Sequence, residues 1–265
     1  MYRQHFGLKH IPFDKNSPSL WAHEDLTILQ ERFTGLINNP GIGLLTGEPG
    51  VGKTAALRNI IKNLNPHQYF IVYLAETQFS CYDIYSQLAI SFNLVPPHRF
   101  AQLWRAIKNR IRELVENKRS LPILIIDEAQ NLSFDFFKSF PSFLNFDFDA
   151  KDMMTVWFVG HNNLLNIIDR AALAALSGRI HARCQIHPIT ERTCFTQMIQ
   201  HAFKEAGCQT TLLSDPGIEI IRVASQGRLR TIHRIIATAM QIAMQKKLSH
   251  LPDDIVQEAI ASLKG

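Results

Sequence analysis

The stretch Gly47-Glu48-Pro49-Gly50-Val51-Gly52-Lys53-Thr54 decides the fold of this 265-residue chain. It has the spacing G-x-x-x-x-G-K-[ST] and stands between a short apolar run at 42–46 and a helical pattern at 53–64. Glycines let the backbone curl so that successive N–H groups point at phosphate oxygens, and the following helix N-terminus adds the positive end of its dipole. A strand, this loop and a helix in succession therefore predict a nucleotide phosphate site.

The chemistry expected at this loop is that of ATP with Mg²⁺. Lys53 should reach the β- and γ-phosphates, and the hydroxyl of Thr54 should bind Mg²⁺. A second motif, Ile123-Leu124-Ile125-Ile126-Asp127-Glu128, ends an apolar strand in two carboxylates. Asp127 is expected to act beside Thr54 at the metal, and Glu128 to polarise the water that attacks the γ-phosphate. The alternative for Glu128 is a solvated acid at a strand end.

Strands and helices alternate through most of the chain. Apolar runs predict strands, and the amphipathic patterns between them predict helices. Apolar strands separated by helices indicate a parallel sheet covered on both faces, so we expect an α/β fold of the P-loop NTPase type. Outside residues 42–64, the expected strands are 69–74, 122–126, 155–159 and 180–186, and the expected helices include 24–37, 82–92 and 103–117.

After residue 188 only helical patterns remain. Thr190 is expected to cap a first helix, and Asp215 a second one that Gly227 ends. Two more helices are expected over 229–246 and 253–264. These patterns predict a nucleotide-binding base over 1–188, with an N-terminal extension over 1–40, and a small all-helical lid over 189–265.

The bulk composition is that of a folded protein without a membrane segment. Hydrophobic residues make up 46% of the chain, and no apolar run reaches the roughly 18–20 residues that a membrane helix needs. The opening residues lack the apolar stretch of a signal peptide. The cysteines Cys81, Cys184, Cys194 and Cys208 form no C-x-x-C or zinc-like spacing. We therefore expect a cytoplasmic protein, and its net charge of +5 favours a nucleic-acid partner without establishing one.

Two segments resemble a known group of ATPases. Asp127-Glu128-Ala129-Gln130-Asn131-Leu132 is similar to the DEAQNL segment of ExeA-like AAA+ ATPases and of the related transposition helper ATPases of the TnsC and TniB kind. Tyr2, Phe6-Gly7-Leu8 and Pro12-Phe13 resemble the opening of the ExeA-like group. The resemblance covers most of the chain and implies an ATP-hydrolysing AAA+ protein.

The resemblance also implies roles for polar residues outside the two motifs. His161 and Asn162 occupy the place of a GQ-P sensor segment; His161 replaces the usual Gln, so either residue could sense the γ-phosphate. Arg179, in a segment similar to QRI-AR, would be the arginine finger that reaches a neighbouring subunit's nucleotide, with an ordinary surface arginine as the alternative. Arg230, in a G-x-x-R pattern, would contact the nucleotide from the lid.

One segment departs from the family pattern, which has a leucine-rich helix after DEAQNL. Here phenylalanines recur from Phe134 to Phe148. Pro141 stands among them and is expected to interrupt any single helix. The rings either fill a core or form a subunit or partner interface, where aromatic residues are enriched.

The predicted helix at 103–117 has an apolar face and a basic face. The apolar face should pack on the sheet and holds Trp104, Ile107, Ile111 and Leu114. The basic side is expected to contact the phosphates of double-stranded DNA, and a solvated helix face is the alternative. Its residues are Arg105, Lys108, Arg112 and Arg119.

The function expected from these observations is that of an ATP-driven transposition helper. Such a protein assembles as a homo-oligomeric ring or helical filament on double-stranded DNA and recruits or activates a transposase, and a targeting protein could act upstream. One alternative is an ExeA-like secretion-pathway ATPase, whose relatives continue into a membrane span and a cell-wall-binding domain. The other is a scaffold that binds ATP without hydrolysing it, against which Glu128 and Arg179 both argue.

Overall fold

The computed structural model describes residues 2–14, 20–208 and 211–264. They form two compact units. The sheet unit comprises Glu24–Gly47 and Ile60–Ile186. The helical unit comprises Met1–His23, Glu48–Asn59 and His187–Gly265, so most of the phosphate loop groups with the C-terminal helices.

A five-stranded parallel sheet forms the centre of the sheet unit. Its strands are β1 (Ile42–Gly47), β2 (Tyr69–Leu74), β3 (Leu121–Ile126), β4 (Thr155–Gly160) and β5 (Ile180–Ile186). The strand order is β2-β3-β4-β1-β5. Every residue of β1 and β4 is buried, as expected of parallel strands covered on both faces. The expected α/β fold is therefore confirmed.

Helices connect these strands and flank the sheet. A π-helical turn, Glu113–Asn117, extends the fifth helix, whose start lies three residues before the expected position. In the described part of the chain up to residue 186, the helices are α1 (Tyr2–His5), α2 (Glu24–Asn38), α3 (Lys53–Lys62), α4 (Cys81–Ser91), α5 (Phe100–Arg112), α6 (Phe134–Leu144), α7 (Asn163–Ile168) and α8 (Ala174–Ser177).

The phenylalanine-rich segment fills a core. Helix α6 continues through Pro141, so the expected interruption at that residue is wrong. Burying one aromatic ring removes about 150–250 Å² from water, and several rings together outweigh the roughly 3 kcal/mol that a proline costs inside a helix. The buried rings are Phe136, Phe137, Phe140, Phe143 and Phe146, whereas Phe134 and Phe148 are exposed.

The helical unit has its own apolar core. Its C-terminal helices are α9 (Arg192–Glu205), α10 (Asp215–Ser225), α11 (Leu229–Gln245) and α12 (Asp253–Lys264). Buried residues from all four line that core, because each helix presents one apolar face. Within the described ranges, no helix combines the length and the apolar character needed to cross a bilayer.

Two of the expected helix caps are wrong by one residue. Glu191, not Thr190, caps α9, because its carboxylate reaches two backbone N–H groups, at 2.6 Å from Cys194 and 2.9 Å from Thr193. These hydrogen bonds lower the pKa of Glu191 to about 2. Ser214, rather than Asp215, caps α10 by accepting from a backbone N–H of the first turn.

Replacing Phe140 tests the contribution of the aromatic core. Phe140 is fully buried, stacks on Phe136 and Phe143, and meets Phe158 edge to face at 5.4 Å. Phe140→Ala would leave a cavity, and we expect the free energy of unfolding in urea to fall by about 3–5 kcal/mol. Phe148→Ala is the control, because that ring is fully exposed and its loss should change little. Equal unfolding of the two variants would contradict this placement of the rings.

Candidate nucleotide site

The phosphate loop needs its glycines for both conformation and packing. Gly50 and Gly52 have φ angles of +83° and +104°, which L side chains rarely adopt. A Cβ on Gly50 would lie 3.0 Å from Cβ of Arg230, and one on Gly52 would lie 2.8 Å from Cδ1 of Leu229. The loop therefore lies directly against the start of α11, in a shape that side chains at these two positions would strain.

Two polar contacts anchor the loop to α11. The N–H of Arg230 donates to the carbonyl oxygen of Gly50 at 3.1 Å. The guanidinium of Arg228 donates to the Glu48 carboxylate at 3.0 Å. The helix that carries Arg230 thus holds the loop by backbone and side chain. The sequence pattern singled out Arg230, but nothing in it indicated the ion pair of Arg228.

Lys53 and Thr54 are placed at the first turn of α3. Lys53 is buried, although lysine is rarely so, and its ammonium donates to the carbonyl oxygen of Glu48 at 3.1 Å. This contact holds the side chain back along the loop. Thr54 follows it and is half-buried. A buried ammonium and a hydroxyl at a helix N-terminus form the donor set that a phosphate group requires.

Asp127 lies at the carboxyl end of β3. It is buried, and both of its carboxylate oxygens accept hydrogen bonds. The hydroxyl of Tyr73 donates to Oδ2 at 2.8 Å, and the N–H of Glu128 donates to Oδ1 at 2.9 Å. The role of Tyr73 was not expected from the sequence, because its only signal there is a place in an apolar strand. Its hydroxyl fixes the orientation of the proposed metal ligand.

Glu128 follows in a left-handed conformation, with φ 51° and ψ 37°. Gln130 Nε2 donates to Glu128 Oε2 at 2.6 Å, and His161 Nε2 lies 3.3 Å from the same oxygen. The hydroxyl of Thr77 donates to the carbonyl oxygen of Glu128 at 2.9 Å. Glu128 is therefore held through its side chain and its backbone, which a freely solvated acid at a strand end would not be.

The two sensor candidates are in different environments. His161 follows β4 directly and contacts Glu128. Asn162 is exposed, and its Oδ1 accepts from Gln185 Nε2 on β5 at 3.4 Å. Of the two residues, His161 is thus the one placed beside the proposed base.

The candidate arginine finger is bound within its own sheet unit. Arg179 donates to the Asp149 carboxylate at 2.6 Å and to the carbonyl oxygen of Pro141 at 3.2 Å. The nearby Arg183 is held more fully, since it donates twice to Asp169, at 2.8 and 3.0 Å. Hydrogen bonds from Arg183 lower the pKa of the Asp169 carboxyl. Two parallel hydrogen bonds to one carboxylate therefore hold the guanidinium of Arg183 in place. Arg179 has a single hydrogen bond to its carboxylate partner, whose side chain is about half exposed.

The expected basic stripe is interrupted in the structure. Arg105 is exposed on α5. Lys108 donates to the carbonyl oxygen of Asn145 and lies 4.6 Å from the ring centroid of Phe146, and burial lowers its pKa. Arg112 lies over the same ring at 5.6 Å. Arg119 follows the π-helical turn with φ +49°, outside the helix. Arg105 and Arg119 are therefore the exposed members of the set, and of these two Arg105 lies on α5.

The donor groups fit a nucleoside triphosphate with Mg²⁺. A hydroxyl and a carboxylate are the hard oxygen ligands that Mg²⁺ prefers, and phosphates and water usually complete its shell. Within the described ranges no three His, Cys, Asp or Glu residues are grouped to hold a metal ion. Each unit thus carries one oxygen ligand of the expected kind, Thr54 in the helical unit and Asp127 in the sheet unit.

A family model and a curated relative both match this chain in sequence. The family model described as "AAA domain" matches residues 37–168. General secretion pathway protein A of Aeromonas hydrophila is 27% identical over 254 residues, which cover 93% of this chain and 45% of that protein. The chain thus spans less than half the length of this curated relative.

Solved structures show the same fold at low sequence identity. Cdc6p of Pyrobaculum aerophilum is 21% identical with a TM-score of 0.71, covering 97% of this chain and 69% of that one. The Aeropyrum pernix ORC1 protein in complex with DNA is 15% identical with a TM-score of 0.72, covering 98% and 69%. The RuvB branch migration motor of Thermotoga maritima is 16% identical with a TM-score of 0.63, covering 94% and 74%. The likeness establishes the fold.

Replacing Tyr73 tests whether its hydroxyl orients Asp127 for a metal. Tyr73→Phe removes the donor to Oδ2, and loss of such an outer contact typically weakens metal affinity by about 10-fold or more. We expect a similar rise in the Mg²⁺ concentration that half-saturates binding of a fluorescent ATP analogue. Tyr69→Phe, at the opposite end of β2, is the control. An unchanged Mg²⁺ dependence in Tyr73→Phe would show that Asp127 does not need this hydroxyl at the metal.

Proposed function

We propose that the chain hydrolyses ATP and uses the cycle to assemble on double-stranded DNA and release it. The match of residues 37–168 to a family model described as "AAA domain", and the fold shared with Cdc6p, support this proposal. The observation that carries hydrolysis is the state of Glu128. Its carboxylate is oriented by Gln130 and His161 beside the buried Asp127. A scaffold that only binds ATP would need no such ordered base.

Each proposed catalytic residue has one task. Lys53 and the loop N–H groups would bind the phosphates, and Thr54 and Asp127 would hold Mg²⁺, which would supply positive charge against the phosphates. Glu128 accepts a proton from water as the water oxygen bonds to the γ-phosphorus and the bond from that phosphorus to ADP breaks. The products are ADP and inorganic phosphate. Arg230, at the start of α11 where the loop is anchored, would report nucleotide to the lid.

Assembly requires a residue that acts on a neighbouring subunit. Arg179 suits this task, because its ion pair with Asp149 is partly exposed, and exposed pairs contribute less than about 1 kcal/mol. Arg179 can therefore leave Asp149 at little cost and reach the nucleotide of the next subunit. A contact of this head-to-tail kind closes into a ring or continues as a helical filament.

The partner proposed for the assembled form is double-stranded DNA, followed by a transposase and a targeting protein. The basic charge and the resemblance to transposition helper ATPases support this proposal. Two solved structures of the same fold, Aeropyrum pernix ORC1 in complex with DNA and Drosophila ORC bound to DNA, support it as well. We therefore favour the helper function.

A second function is supported by a separate observation. The curated relative that matches 93% of the chain is a general secretion pathway protein. In that case the ATPase would drive a secretion component, and DNA would not affect its assembly. DNA dependence is thus the property that separates the two functions.

Subunit mixing tests the proposed site between neighbours. Lys53→Ala should lose ATP binding, and Arg179→Ala should bind ATP normally but turn it over at least about 100-fold more slowly. Mixing the two inactive variants should restore part of the turnover, because some contacts then pair an intact Lys53 with an intact Arg179. Arg170→Ala, at an exposed arginine nearby, is the control. A mixture that stays inactive would rule out action between subunits.

DNA dependence can be measured by electron microscopy and by binding in graded salt. Rings or filaments should form with ATP and double-stranded DNA together, and Arg105→Glu should weaken DNA binding about 10-fold or more and reduce its salt dependence. Lys62→Glu, at an exposed lysine that ends α3, makes the same change in net charge and is the control. Assembly that is the same with and without DNA, even at low salt, would contradict the helper function and favour the secretion function.

A further inference from the structure

The side chain of Gln130 bridges the ends of two strands. Its Nε2 donates to Oε2 of Glu128 at 2.6 Å, and its Oε1 accepts from the backbone N–H of His161 at 3.1 Å. Glu128 follows β3, and His161 follows β4. These strands are paired, with Ile126 opposite Phe158, so the bridge spans neighbouring strand ends.

The orientation of this amide follows from its partners. A backbone N–H can only donate, so the amide oxygen must face His161, and the NH₂ group must then face Glu128. Gly160 makes room for this arrangement, since a Cβ there would clash with Gln130 Oε1 and lie 2.9 Å from Cδ2 of Leu164. The bridge therefore depends on three neighbours in the sheet unit rather than on Gln130 alone.

The bridge also makes the two oxygens of Glu128 unequal. Oε2 has Gln130 Nε2 at 2.6 Å and His161 Nε2 at 3.3 Å. Among the described residues, none hydrogen bonds to Oε1. The side chain of Glu128 is about half exposed, so solvent can reach it. One oxygen is thus restrained by the protein, and the other is left for water.

We propose that Gln130 is a positioning residue for hydrolysis, which fixes the rotation of the Glu128 carboxylate so that Oε1 takes the proton from the attacking water. This proposal rests on the proposed ATPase function. Gln130 is suited to the task because it is uncharged and does not compete for the proton, and because its second bond ties it to the strand end that carries His161. The γ-phosphate sensor and the base would then move together.

The first test separates positioning from nucleotide binding. Gln130→Met keeps the length of the side chain but cannot form either hydrogen bond. We expect kcat for ATP to fall about 10- to 50-fold, since small misplacements of a catalytic group cost up to about 100-fold. KM and the affinity for ADP should stay within about 2-fold, and the melting temperature should be unchanged. Gln87→Met, which removes a half-buried glutamine bonded to Glu76, is the matched control.

The second test asks whether Gln130 acts through Glu128. In a Glu128→Gln background there is no base to position, so adding Gln130→Met should have no further effect on the residual hydrolysis. If the two losses multiply instead, Gln130 has a separate structural role and the proposal is overturned. Gly160→Ala, which displaces the amide from the other side, should repeat the kcat loss of Gln130→Met.

Failure of this inference can be told from failure of the ATPase function. If the unchanged protein hydrolyses ATP, Glu128→Gln does not, and Gln130→Met has the kcat of the unchanged protein, only the role of Gln130 is overturned. If the unchanged protein does not hydrolyse ATP, both the function and the positioning role are overturned. If the low kcat of Gln130→Met is accompanied by a lowered melting temperature and a raised KM, Gln130 stabilises the fold and the positioning role is overturned.

Discussion

Parallel pairing of β3 with β4 is the constraint on which the candidate site depends. Carboxyl ends of parallel strands meet at one edge of a sheet, so Asp127, Glu128 and His161 leave the sheet together. The same edge receives Gly47, the last residue of β1, which pairs with β4 on its other side. The phosphate loop continues directly from that strand end. The fold thus brings the proposed base, the proposed metal ligand and Gly47 to one edge of the sheet.

The strands have a strong signal in the sequence and were predicted well. All five strands lie within a residue or so of their expected bounds, because apolar runs between helical patterns have few other interpretations. Pro141 shows the limit of local rules. Its expected break was wrong, because burial of rings such as Phe140 is a tertiary effect that local propensity does not contain. The caps at Glu191 and Ser214 were missed by one residue, since neighbouring polar residues compete for the same N–H groups.

The residues of the candidate site have a signal in the sequence, but their contacts do not. The loop and the carboxylate pair follow from spacing. Gln130 has no signal of its own beyond its place in the DEAQNL segment, yet it contacts both Glu128 and His161. For the basic residues on α5, the sequence alone does not indicate which side chains are exposed. Lys108 and Arg112 looked equivalent to Arg105 in the sequence, yet both lie over Phe146. Which arginine or lysine remains open to a partner depends on loops that periodicity does not place.

Single-turnover cleavage of ATP is the most direct test of the proposed chemistry. The unchanged protein and Glu128→Gln would be compared by rapid quench with Mg²⁺ and double-stranded DNA present. We expect the two proteins to bind ATP within about 2-fold of each other, and the variant to cleave it at least about 100-fold more slowly, because a general base typically contributes that much. Equal cleavage rates, or no cleavage by the unchanged protein, would contradict a hydrolytic role for this carboxylate.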